Sequence, residues 1–578
     1  MSRISIYYDG DCPLCRRYSS YLNLARDNEL QLVDLRQAAQ TAQSFQQRGL
    51  QPDQGMIVEI DGRYYTGADA MHVLSLLDQP DNIFMRLQSW LFARSWLAGL
   101  LYPLLRLGRN ALLLMLGRRR LDDTAMENGL RLLFATALGV FAWLHFLVYA
   151  FQFNVDQLIS PAVIGVLGLL LLLRPASSRL LVLLLLVMLV DSWLQMPSLS
   201  NHTIIKNFLM LGVLLAGGWH GLRGNSMHAF LNSLYPLGRW LLLLMYVFGV
   251  FHKLNSDFLH PEVSCATALW QQMPSWLAWL DALAIGNLTI WGTLVIESAI
   301  IAMLLLPGLR FFGITVGIGF HSLLALSGYA MYATFSMLSF LLHLLFLSPQ
   351  AANQIVASAG WQSWRALTQQ LSGIALVMSI ALLLLLLAYN GSYSEVGLIW
   401  IVLMTPLFVL IVRHGCVSDQ LSTRQLLTPK PVWLSLVVVL FFFNGITPYL
   451  GLKTSQSINM FANLRLEGGA SNHYLVRQVG PFGYVDDVAV IEAASGSLRL
   501  IYVAEQNLAM VYYDLLNELE RHPAAKVSYV RQGERYQNQS AATLADDIDS
   551  MLHPRWVRKW FHFNVVDLNQ PKQCALDR

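Results

Sequence analysis

Hydrophobic patterning divides the chain into three regimes. Residues 1–90 mix polar and apolar positions in short runs, 129–450 are dominated by long apolar runs, and 451–578 return to the mixed pattern. In the middle stretch, apolar runs lie near 129–151, 158–173, 180–196, 203–222, 236–253, 286–306, 309–327, 330–347, 372–389, 396–413 and 432–450. A helix needs ~20 apolar residues to cross a bilayer, so the pattern predicts about eleven spans, several of them short. Residues 361–371 read as an interfacial stretch. At the N-terminus the pattern predicts a strand (Ile4–Tyr8), a helix (Leu14–Ala25) and a second strand (Leu30–Leu35). A hairpin follows, Met56–Ile60 and Arg63–Thr66 around Asp61–Gly62, and then a helix from Ala68. This predicts a small α/β domain over 1–80. Residues 81–128 form a linker, in which 83–120 carry Trp90 and Trp96 beside Arg86, Arg94, Arg106 and Arg109, the composition of helices lying on a membrane surface. In 451–578, strands Val488–Glu492 and Leu498–Val503 with helices Leu508–Arg521 and Ala541–Leu552 predict an α+β domain.

Composition sharpens this picture. With 55% hydrophobic and 13% charged residues and a mean hydropathy of +0.46, a wholly soluble enzyme and a disordered scaffold are excluded. A net charge of +3 from 39 basic and 36 acidic residues gives no footprint for nucleic acid; the expected partner is the lipid bilayer. Five cysteines are too few for a disulfide framework. No long apolar run follows the first residues, so no cleavable signal peptide is expected. Arg118, Arg119 and Arg120 precede the first run, and Arg174 and Arg179, Arg223 and Arg239, Arg310, Arg365, and Arg413, Arg424 and Lys430 mark every second loop after it. By the positive-inside rule the N-terminal domain (1–80) is cytoplasmic and the 451–578 domain extracytoplasmic. Cys265 and Cys574 then both lie outside, where a disulfide between them would persist. A multi-pass protein of a bacterial inner membrane is the expected setting.

Cys12-Pro13-Leu14-Cys15 falls where a strand ends and a helix begins. A cysteine at a helix N-terminus faces unpaired amides and the positive end of the dipole, which favour the thiolate. A second thiol one turn on can close or resolve a disulfide. A zinc half-site and two inert thiols are the other readings; no second CxxC or CxxH supplies the missing ligands, and no metal is expected. YYDGDCPLC, followed by DGRYYTGADA, resembles the DCC-type thiol-disulfide oxidoreductases. That resemblance implies a thioredoxin-like domain with Cys12 as the nucleophile and Cys15 as the resolving thiol. It covers about 1–80, and departs from thioredoxin-like folds in having no proline directly before Met56–Ile60, Pro52 being the nearest.

Ionisable residues inside apolar runs cost ~2.5–3.5 kcal/mol each on insertion scales and are functional candidates. His145 lies on the first run, Asn201 and His202 start the fourth, His252 and Lys253 end the fifth with Asp257 beyond, Glu297 is mid-sixth, and His321 is in the seventh behind Gly313, Gly317 and Gly319. If these helices bundle, their polar groups converge on one cavity in the outer leaflet. Shielding from water disfavours an ammonium, and a neutral Lys253 is a competent general base with a histidine as relay. The plainer roles are a boundary lysine reaching for headgroups, interhelical hydrogen bonds for the histidines, and a structural pair for Glu297. The segment MFANLRLEGGASNH (460–473) reads either as a lid over the cavity or as a turn-rich connection.

GVFHKLNSDF (249–258) resembles the segment around the base lysine of vitamin K-dependent γ-glutamyl carboxylase, of the horizontally transferred transmembrane group. SNHTIIKNFLMLG (200–212), GFHSLLALSGYAMYATFSM (319–337) and NGITPYLGLKTSQSINMFANLRLEGGASNH (444–473) are similar to further segments of that family. The likeness spans about 129–450. It implies Lys253 as the base acting on a reduced vitamin K or menaquinol-type quinone, His202 as a proton handler and His321 as a pocket residue. Asn201, His252, Asp257, Glu297 and His145 would line the cofactor site. The implied reaction oxygenates the hydroquinone to an epoxide and couples this to carboxylation of a glutamate-containing peptide or protein. His252 stands where that family has a second lysine, and Phe258 where it has tryptophan.

The expected fold class is thus a polytopic α-helical membrane protein of about 11 spans, flanked by a thioredoxin-like α/β domain and a C-terminal extracytoplasmic α+β domain. Two functions are open: a quinone-dependent carboxylase-like enzyme with an attached CxxC domain, or a membrane-anchored thiol-disulfide oxidoreductase. No internal repeat points to a transporter.

Overall fold

The computed structural model describes residues 3–574, apart from 14, 16–28, 39–40, 42–43, 46–49, 51–54, 78–82, 117–127, 153–158, 197–198, 224–226, 274–285, 328–329, 387–393, 417–421 and 470. β1 (Arg3–Tyr8) runs parallel to β2 (Glu29–Asp34) and antiparallel to β3 (Ile57–Ile60), which pairs with β4 (Arg63–Thr66). The sheet order β2-β1-β3-β4 is that of a thioredoxin-like domain. Strand period two turns Ile4 and Ile6 into the core against Met56 and Val58. Asp61 and Gly62 both take positive φ, 47° and 82°, which lets the two-residue hairpin close. Helix α1 (Gly67–Leu77) covers this face with Ala70, Met71 and Leu74. The helix expected over Leu14–Ala25 lies outside the described residues, except that Pro13 and Cys15 are helical. Pro52 is likewise outside them.

Helices α2 (Ile83–Phe92) and α3 (Ser95–Leu116) follow. Phe92 and Ala98 are buried in the same core as Ile4 and Ile6, while Trp96, Leu100 and Leu104, four residues apart, are exposed. One face therefore docks on the α/β domain and the other keeps an apolar row free. The folded N-terminal unit extends well past residue 80.

Helices stand at all eleven places where apolar runs occur: α4 (Asn128–Gln152), α5 (Ile159–Leu173), α6 (Ser178–Gln195), α7 (Asn201–Leu222), α8 (Met227–His252), α9 (Gly286–Leu305), α10 (Arg310–Leu324), α11 (Ala330–Leu344), α12 (Ala359–Leu386), α13 (Ser394–His414) and α14 (Ser435–Ile446). Among the described residues, five are long and apolar enough to cross a membrane: 129–147, 201–222, 233–252, 286–305 and 397–414. A sixth is reached if α11 and the helix Pro349–Ala357, bent by 108°, count together. The 15 residues of α5 or α10 and the 12 of α14 rise only ~18–23 Å, short of the ~30 Å hydrocarbon core. Residues 361–371 are not a separate interfacial piece but the first turns of α12. Thr368 and Ser372 return their hydroxyls to the carbonyls of Arg365 and Thr368, so the polar positions leave the helix unbroken.

A second sheet, order β6-β5-β7-β8, is built from β5 (Val488–Ser495), β6 (Ala509–Val511), β7 (Lys526–Arg531) and β8 (Glu534–Gln539). The strand expected at Leu498–Val503 is instead helix α15 (Leu498–Glu505). Ser497 caps it by accepting the Leu500 amide, and the buried pair Leu500 and Val503 has helical spacing, leaving Leu498 exposed. The helix expected from Leu508 begins at Tyr512, as α16 (Tyr512–Arg521), because Ala509–Val511 pair with β5. The last expected helix shortens to Ala545–Met551.

Helix α7 is the ruler of the molecule. Arg106 of α3 donates to the Leu222 carbonyl at one end, while Asn201 at the other end accepts the Ile458 amide. Twenty-one residues of helix separate them, ~32 Å. Lys559, near the C-terminus, donates to the Trp193 carbonyl, close to where α7 begins.

Candidate functional site

Two chemical centres lie at opposite ends of α7. The first is built where β1 ends. Tyr8 gives way to a turn in which the Asp9 carbonyl accepts the Cys12 amide at 3.0 Å and the Asp9 carboxylate accepts the Asp11 amide at 3.1 Å. Gly10 donates to Asp34 at 3.0 Å, so closely that a Cβ there would fall 2.0 Å from the carboxylate. Cys12 is fully buried and Cys15 half-buried, and the Cys15 amide donates to Cys12 Sγ at 3.2 Å. Asp9 is held by Arg36 (2.8 Å) and by Arg109 of α3 (2.8 Å). Burial pushes the Asp9 carboxyl up, but the hydrogen bond and charge of Arg36, with Arg109, outweigh it and hold it below the usual range.

These partners separate the two thiols. The hydrogen bond from Cys15 lowers Cys12 to about 6, against its burial and with help from the Cys15 amide and the Arg109 charge. The same hydrogen bond, with burial, pushes Cys15 strongly upward. The pair thus favours the thiolate on Cys12 and the proton on Cys15, the division of labour that disulfide exchange requires.

The second centre is a cavity lined by Asn201, Tyr246, Gly249, Lys253, Glu297, His321, Tyr332 and Phe335, with Ile458, Met460 and Phe461 above it. Residues 458–461 therefore cover the Lys253 end of the bundle, and an isolated β-bridge between Asn255 and His473 ties the rest of that segment down. Lys253 Nζ donates to both Glu297 oxygens at 2.6 Å. His321 Nε2 lies 2.9 Å from the Tyr246 hydroxyl, which also lies 3.3 Å from His343 Nε2. His321 Nδ1 is buried with no hydrogen-bond partner among the described residues. The cavity is about 30 Å³, room for a water molecule or two.

Of the residues singled out in sequence, Asn201, Lys253, Glu297 and His321 meet here. The others do not line the cavity. His252, adjacent to Lys253 and so ~100° around the helix, bonds Tyr449 (2.7 Å) and the Ser457 carbonyl (3.1 Å). Asp257 faces the C-terminal tail, accepting the Lys572 amide at 2.8 Å. His202 turns from Asn201 toward Ser200 and Thr334, with the His145 ring edge-on at 5.7 Å. Gly313 and Gly317 do admit close neighbours, the Leu304 backbone and the His343 imidazole, whereas Gly319 faces open space. Cys265 and Cys574 form a disulfide. Tyr246, which also lines the cavity, sits two turns before Lys253 on one helical face, a spacing legible in sequence. Asp9 and Arg109 had no such signal, because their pairing spans 100 residues.

A thioredoxin-like sheet carrying an activated CxxC defines a thiol-disulfide oxidoreductase domain. Residues 6–114 match the DCC1-like thiol-disulfide oxidoreductase family, and the N-terminal part of the chain is such a domain. The match takes in α2 and most of α3 as well as the sheet. No match was found among curated proteins or among solved structures.

Proposed function

We propose that the protein is a membrane-anchored thiol-disulfide oxidoreductase acting through Cys12 and Cys15. The observation that carries this is the Cys12 sulfur held at the start of a helix, accepting the Cys15 amide and buried beside Arg109. Cys12 thiolate attacks a substrate disulfide and releases one substrate thiolate. Cys15 then gives up its proton and attacks Cys12, releasing the second thiol and leaving a Cys12–Cys15 disulfide. The test is reduction of a disulfide peptide by the reduced, purified protein. Cys15→Ser should accumulate a mixed disulfide on Cys12, seen by mass spectrometry, and Cys12→Ser should do neither. Wild-type exchange by Cys12→Ser would sink the reading.

A second reading is favoured by the convergence of Asn201, Lys253, Glu297 and His321 on one cavity. There we propose the chemistry implied by the resemblance to vitamin K-dependent γ-glutamyl carboxylase: oxygenation of a reduced quinone to its epoxide, with carboxylation of a glutamate-containing peptide or protein as the coupled outcome. Lys253, paired with Glu297, and His321 both line the cavity, and His321 Nδ1 has no hydrogen-bond partner among the described residues. The volume, about 30 Å³, does not suit a fused quinone ring, which is far larger. In this reading the shorter helices are further spans, up to about eleven. The CxxC domain is cytoplasmic and residues after 451 are extracytoplasmic, at a bacterial inner membrane. The Cys265–Cys574 disulfide beside free Cys12, Cys15 and Cys416 supports that sidedness. The test is epoxide formation from reduced vitamin K or menaquinol with oxygen and bicarbonate. Product from wild type and none from Lys253→Ala supports it; no product from folded wild type with any quinone rejects it.

A further inference from the structure

Helix α3 touches the helical bundle and the thiol site with residues one turn apart. Arg106 donates from Nε and Nη2 to the Leu222 carbonyl at 3.1 and 2.7 Å. Three residues on, and so on the same side of the helix, buried Arg109 donates to Asp9 Oδ2 at 2.8 Å. Asp9 in turn receives the Cys12 amide on its carbonyl. Two turns before Arg109, Tyr102 packs against Gly55 on the approach to β3, so the helix is held against the domain at two levels.

Among the described residues, few charges lie around Cys12. They are Asp9 at the end of β1, Arg36 after β2, and Arg109 on α3, with the ionisable groups of Tyr102 on α3 and Cys15 on its own helix. Partly exposed Asp11 touches Arg36 at 3.6 Å. Asp9 pairs with Arg36 from its own domain and with Arg109 from α3, the element docked on the bundle. Among the described residues, Arg109 is the buried cation beside the thiols.

We propose that Arg109 is a positioning residue that sets the thiolate of Cys12, and that docking of α3 on the bundle through Arg106 delivers it. Thiol reactivity is thereby tied to attachment of the domain to the membrane part. The inference deepens the oxidoreductase reading and rests on it for its biological purpose, but its measurement is separate.

The experiment uses the full chain in nanodiscs, reduced and pulsed with iodoacetamide across a pH series. Peptide mass spectrometry reads Cys12 alone, and the midpoint of its alkylation against pH is the readout. Arg109→Gln should raise the midpoint by about one pH unit or more, and Arg109→Lys, which keeps the charge, should restore most of it. Arg106→Ala should raise it in the same direction by less. Folded Arg109→Gln protein with the wild-type midpoint overturns the proposal. Should that variant not fold, Arg106→Ala decides: a raised midpoint supports the proposal and an unchanged one overturns it. Disulfide exchange is assayed in parallel. A midpoint that shifts as stated in protein without exchange activity sinks the oxidoreductase reading and leaves the role of Arg109 standing.

Discussion

Lys253 and Glu297, 44 residues apart, meet inside the bundle with the lysine nitrogen 2.6 Å from both carboxylate oxygens, each side chain only 7% exposed. The lysine that the sequence presents as a free base at a helix end is thus the donor half of a buried pair.

Removing one partner leaves the other buried without compensation. Glu297→Gln should destabilise the protein by about 3–5 kcal/mol, read as a lower thermal midpoint in detergent. The double replacement Lys253→Met with Glu297→Leu should recover most of that loss. A single variant as stable as wild type would show the pair to be solvent-relieved.

The Cys265–Cys574 disulfide links residues 309 positions apart and holds the tail against the loop after Lys253, where Lys572 also bonds Asp257. Cys574→Ser should cost about 2–5 kcal/mol and expose the tail to limited proteolysis. Intact mass before and after alkylation under non-reducing conditions reports the bond itself.

At Gly317 a Cβ would fall 2.1 Å from His343 Nε2. Gly317→Ala should therefore cost about 1–3 kcal/mol by overpacking. Gly319→Ala, facing open space two residues on, should be close to neutral. Equal thermal midpoints for the two variants would contradict the packing of α10 on α11.

Lys453, buried after α14 and bonded to Asn444 at 2.6 Å, is lowered by burial from 10.5 to about 7. Between those values the unfolded chain binds the extra proton, so its contribution makes stability rise with pH from about 7 to about 10.5. Below about 7 the charge is buried at full cost. Lys453→Met should flatten the rise of the thermal midpoint across that window.

Cys12, lowered by its hydrogen bond with Cys15, should reach half its limiting alkylation rate at a lower pH than an ordinary cysteine thiol does. Cys15, pushed upward by the same hydrogen bond, should stay unmodified until Cys12 is blocked. Equal labelling of both at pH 7 would show that the thiols are not paired.

Much of this was legible in residue order. Strand and hairpin boundaries at β1 to β4, the eleven helix positions and the CxxC at a strand-to-helix junction follow from period two, apolar run length and turn residues. Where the reading failed, a local signal was ambiguous: LRLIYV alternates well enough for a strand, but Ser497 caps it and Tyr512–Arg521 packs over the same core, which makes it a helix. At the cavity, four of the residues singled out arrive together. His252 and His202 turn aside because neighbours on a helix point ~100° apart.

By itself the sequence determined what each element is and which chemistry it carries: an apolar helix, a redox pair of thiols, a lysine at a helix end. Periodicity, turn preference and side-chain identity are local properties, and one chain contains them in full. The charge pattern of the loops already put Cys265 and Cys574 on one side, and they are bonded. Only the tertiary structure decided the other partners: Glu297 for Lys253 and Arg109 for Asp9 beside Cys12. Those pairings span 44 and 100 residues. They are set by which helix faces pack and where the chain returns, and no local pattern encodes such a meeting.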